Sequence, residues 1–126
     1  MRRNERGAAV VDFVLVLTVL VPLFLGVLQV GLVLHVRNSL TAAASEGARY
    51  AATYGGSLED GVARTRDQIR AAVSDRFARQ VTAREVSLGG APGVELTVEA
   101  QVPALGLWGP AVPLRVAGHA VEEVAP

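Results

Sequence analysis

The sequence predicts an α+β protein in which a long N-terminal transmembrane helix extends into a small domain with a second helix and a roughly three-stranded antiparallel sheet. Three observations carry this. Residues 13–34 form an unbroken apolar run; small and apolar residues then recur at helical spacing from Val36 to Ala51; and Val94, Leu96, Val98, Ala100 and Val102 alternate with Glu95, Thr97, Glu99 and Gln101. The chain divides accordingly into a basic leader at 1–7, a spanning helix at 8–36, its continuation outside the membrane at 37–55, and a small exported module at 56–126.

Composition narrows the function classes. At 126 residues there is room for one domain. Twelve basic residues, all arginine, balance twelve acidic ones, and apart from Arg2, Arg3 and Arg6 they are dispersed, which argues against a nucleic-acid partner. The absence of cysteine removes disulfides, thiolate metal sites and cysteine nucleophiles. Heavy use of Ala, Val, Gly and Arg without any lysine hints at a GC-rich bacterial genome.

At about 1.5 Å per residue the apolar run is long enough to cross about 30 Å of hydrocarbon. A secretory signal peptide ending at Ala42, Ala43 and Ala44 is the competing reading, but its apolar core would be shorter, and His35 and Arg37 intervene. A buried core helix is disfavoured because the remaining chain is too short to surround it. Arg2, Arg3 and Arg6 precede the run and outweigh Arg37 beyond it, so the positive-inside bias puts the N-terminus in the cytoplasm and the module outside. Asp12 stands at the entrance, where an acid costs less than the roughly 2.5–3.5 kcal/mol of the bilayer centre. Pro22 removes one helical hydrogen bond, so a kink or local melting is expected there.

Past the membrane, Leu40, Ala43, Ala44, Gly47, Ala48 and Ala51 continue the helix until Gly55 and Gly56 end it. The small residues Ala43, Gly47 and Ala51 admit close approach of another element, which is either a neighbouring subunit or the chain's own domain. Ser57 is placed as an N-cap with Asp60 three residues on, and Leu58, Val62, Ile69, Val73 and Phe77 predict a helix through about Gln80. Arg64, Arg66 and Arg70 interleave with acids, which reads as a solvated face, the alternative being an anionic-lipid or partner patch. Strands are predicted at 81–88, from Val94 to Val102 and at 111–121, with a turn at 89–93 and with Val112, Leu114 and Val116 facing inward. Trp108 either closes the core or anchors a partner or the membrane surface. His35 and His119 lack the spacing of a metal site, and no nucleophile motif or cofactor loop is present, so neither catalysis nor a cofactor is expected.

The stretch from Gly7 to Phe13, the apolar run, residues 36–41 and the segment EGARYAA at 46–52 together resemble the TadE-like pilin or pseudopilin family of the tight-adherence and Flp pilus systems. That resemblance implies a pilin-like fold and cleavage by a prepilin peptidase between Gly7 and Ala8. Asp12 would then occupy the fifth mature position, where the family usually has Glu. An acid there can pair with the new α-amino group of the same or a neighbouring subunit. The implied partners are the prepilin peptidase, other pilin or pseudopilin subunits, the inner-membrane assembly platform and the lipid bilayer. The alternative is a single-pass anchored envelope protein that never polymerises and whose module binds a protein partner.

Overall fold

The structure, a computed structural model, describes residues 2–53, 55–104 and 111–123, the side chains of Arg2 and Arg3 excepted. Helix α1 (Arg2–Ala52) leads through a short turn into α2 (Leu58–Ala72); a 3-10 turn (Asp75–Ala78) precedes strands β1 (Gln80–Leu88), β2 (Ala91–Pro103) and β3 (Ala111–Val121). The strands form an antiparallel meander in the order β1-β2-β3. The predicted α+β class is therefore the observed one.

Helix α1 is continuous over 51 residues and passes through Pro22 without a break, so the expected local melting does not occur. Loss of one bond in so long a ladder is tolerated, and Thr18, whose carbonyl loses its partner, donates its own hydroxyl to the Val14 carbonyl at 2.6 Å. The first two thirds of α1 touch little else. From Val36 onward one stripe is buried, comprising Val36, Leu40, Ala44, Ala48 and Ala52, and it packs with Val94, Leu96, Val98, Val102 and Val116 of the sheet.

Ser57 caps α2 as predicted, its hydroxyl accepting from the Asp60 N–H at 3.1 Å. The helix ends earlier than the predicted Gln80. Val73 leaves helical geometry at φ −134° and ψ −82°, Ser74 is extended, and the 3-10 turn brings Phe77 and Ala78 into the core. Ser and Asp compete with helical backbone for hydrogen bonds, which favours a break at Ser74 and Asp75. Arg66 secures the turn by donating from Nε to the Ala78 carbonyl at 3.2 Å.

The β1–β2 turn is also tighter than predicted. Only Gly89 and Gly90 form it, at φ +60° and +86°, while Ala91, Pro92 and Gly93 already belong to β2. Two successive positive φ values suit the twist of a two-residue hairpin and favour glycine at both positions. The predicted inward row of β3 is buried at Val116, half-buried at Leu114 and 39% exposed at Val112. Val112 opens an edge strand and is paired on one side only, with Val102, which leaves it uncovered.

Strand β3 ascends alongside α1. Gly118 lies against the backbone of Ala44 and Ser45, and five residues later the Glu123 N–H donates to the Ala52 carbonyl at 2.8 Å. The opposite end of the sheet, where β1 and β3 begin and β2 finishes, therefore points back along α1 toward Leu32 and Val33, both partly buried against the core.

Candidate functional site

Gly7 and Ala8 lie near the start of α1, exposed, and a Cβ built on Gly7 would meet nothing within 4 Å. Ala8 and Asp12 are four residues apart and share one helix face about 6 Å apart along the axis. Asp12 is exposed too. Beyond it the apolar run is uncovered on every side through residue 28, with Phe13, Val19 and Phe24 each more than three-fifths exposed. An apolar surface of this extent needs lipid or other helices around it. The helix is long and apolar enough to cross a membrane and fits a single-pass anchor.

The continuation of α1 is occupied by the chain itself. Ala43, Gly47 and Ala51 are buried, and Gly47 abuts Gly61 and Thr65 of α2, so that an added Cβ would stand 2.8 Å from the Gly61 carbonyl oxygen. A Cβ on Gly61 would in turn approach the Ala51 methyl to 2.6 Å. Beside this contact Arg64 of α2 pairs with Glu46 at 3.6 Å and lies over the Tyr50 ring at 5.8 Å. Much of the EGARYAA segment thus forms one side of a close helix seam. Sequence reasoning left open whether the small residues met another subunit, and it missed Gly61 and Thr65. Their four-residue spacing, matching Gly47 and Ala51, was the available signal.

A signal-peptide cut after Ala44 would take Val36, Leu40, Ala43 and Ala44 out of the core, which argues against that reading. Gly118 was likewise missed; there β3 lies directly against the backbone of Ala44 and Ser45.

The outer face of the sheet carries a clamp across all three strands. Register aligns Arg84 of β1, Glu95 of β2 and His119 of β3. Arg84 Nε donates to Glu95 Oε1 at 2.8 Å, and His119 Nε2 meets Oε2 at 2.7 Å. The Arg84 hydrogen bond, followed by that of His119, holds the Glu95 carboxyl down at about 2. Thr97, buried beneath this polar layer, adds a hydroxyl contact to Glu95 at 3.4 Å. His35 is exposed at the end of the apolar run. Among the described residues no group of three or more His, Cys, Asp or Glu could hold a metal ion. Trp108 lies outside the described residues.

No curated protein matches the chain, and no solved structure does. The family model described as TadE-like protein matches residues 7–49. The match opens on the junction glycine, covers the whole apolar run and ends at Arg49, two residues past Gly47 of the helix seam, so the resemblance read from the sequence is borne out: across residues 7–49 this chain is similar to the TadE-like family.

Proposed function

We propose that the chain is a minor pilin or pseudopilin of a tight-adherence or Flp pilus or secretion apparatus, acting by assembly and not by catalysis. One observation carries this reading. The family match begins at Gly7, the residue that separates the basic tail from the helix. A prepilin peptidase cuts between Gly7 and Ala8, the N-terminus lies in the cytoplasm, and the module is exported. Asp12 then offsets the new α-amino group in a low-dielectric setting, on its own subunit or a neighbour's.

Because Ala43, Gly47 and Ala51 are covered by their own domain, subunit packing uses the exposed helix surface at 8–35, against other subunits and the inner-membrane platform. That same coverage gives some support to the second reading, an anchored envelope protein that does not polymerise. The test is the intact mass or N-terminal sequence of the membrane-extracted protein, with and without the peptidase. A start at Ala8 only when the peptidase is present supports the proposal, and an uncut Met1 in both would sink it.

A further inference from the structure

Where α1 crosses a bilayer, the structure fixes which end of the domain meets the lipid. Gly118 is level with Ala44, and β3 runs back from there for seven residues to Ala111, about 23 Å along the strand. The helix needs about 15 Å to return from Ala44 to Leu34, so the start of β3 reaches the edge of the apolar run when two thirds of its length is spent along the helix. Leu32 and Val33, inside that run, already pack against the domain.

At this end lies a cleft of about 690 Å³, bordered by the end of β2 and the start of β3. Arg76 and Arg79 enter it from the 3-10 turn and its cap, and Arg115 from β3. Among the described residues that line it, Arg79 and Arg115 accompany one carboxylate, Glu99, which is 3.7 Å from Arg115. Beside them Ala111, Val112 and Pro113 are exposed. Cationic groups at headgroup height next to uncovered apolar residues match an anionic membrane surface in both charge and polarity.

We propose that this end of the domain docks on anionic phospholipid headgroups, with Arg79 and Arg115 holding phosphate oxygens. The inference rests on α1 spanning the bilayer and is independent of cleavage and assembly. Guanidinium groups present paired donors suited to phosphate, and the attraction fades within about 10 Å in ordinary salt, so the short distance set by α1 is what makes it effective. Docking also fixes how the domain tilts on its anchor.

The full-length chain contains no cysteine, so one nitroxide at Val112→Cys reports depth in reconstituted bilayers, with Val30→Cys as the control for the span. In phosphatidylcholine bilayers containing phosphatidylglycerol the Val112 label should sit at headgroup depth, and in phosphatidylcholine alone it should sit in water. Arg79→Gln and Arg115→Gln should each lower the docked-to-free ratio by about fivefold. A Val112 label in water in both lipids, with the Val30 label in hydrocarbon, overturns the docking while leaving the span intact. Equal headgroup depth in both lipids overturns the arginine assignment. A Val30 label in water removes the span on which the inference rests.

Discussion

Gly47 of α1 and Gly61 of α2 touch backbone to backbone, with room for no side chain on either. The contact sets the spacing of the two helices, and Thr65 completes it by turning its hydroxyl back to the Gly61 carbonyl at 2.8 Å.

Gly47→Val should therefore force α1 and α2 apart. Overpacking of this kind costs about 1–3 kcal/mol, and it should appear as a lower urea midpoint of the detergent-solubilised protein. Gly7→Val, in open space on the same helix, should leave the midpoint unchanged.

Gly118→Val tests the other close approach, where a Cβ would run into the Ala44 and Ser45 backbone. Helix backbone cannot yield as a flexible side chain can, so a loss of about 2–3 kcal/mol is expected. His119→Ala, one residue along and facing the opposite side of the sheet, should cost less than about 1 kcal/mol.

The Glu95 clamp gives a pH signature. Its carboxyl lies at about 2 in the folded protein against an ordinary 4.5. The folded state thus binds the proton less readily than the unfolded one; the stabilisation is complete above about 4.5 and is lost as pH falls toward 2. Arg84 and His119 are 70% and 44% exposed, so solvent screening holds the contribution to about 1 kcal/mol. Urea midpoints of the native chain and of Glu95→Gln should differ by that amount at pH 7 and converge near pH 2; a constant gap across that range would contradict the clamp.

Asp12→Ala separates processing from assembly. The peptidase should still generate Ala8, while the amount of chain recovered in sheared filaments falls. Normal incorporation would remove the charge-pairing role of Asp12. Gly7→Arg should instead block the cut and leave the full-length mass.

Periodicity made much of this fold legible. The apolar run, the Ser57 cap and the alternation of β2 each reflect a local rule, and each holds. What periodicity could not supply was the end of α2, since Val73 and Phe77 fit a continuing helix by spacing alone, and it took the core's demand for Phe77 to decide against one. The partner of the small-residue stripe was equally hidden, because Gly47 and Ala51 say only that something comes close. The Arg84, Glu95 and His119 clamp depends on strand register, and the individual strands do not reveal it. Gly7, Ala8 and Asp12 can be singled out as candidates from the residues around them, whereas Gly61 and Gly118 acquire meaning only once the elements they touch are in place.

Helix α1 carries both the apolar run and a wall of the domain's core, with no linker between the two. At about 77 Å it is a single rod, and a rod transmits rotation. Whatever grips residues 8–35, whether lipid or neighbouring helices, also sets the compass bearing of the sheet above, so turning the buried half by one residue, about 100°, would swing the Glu95 face to a different side. Where residues 8–35 lie in a membrane, the outward face of the module is thus chosen there.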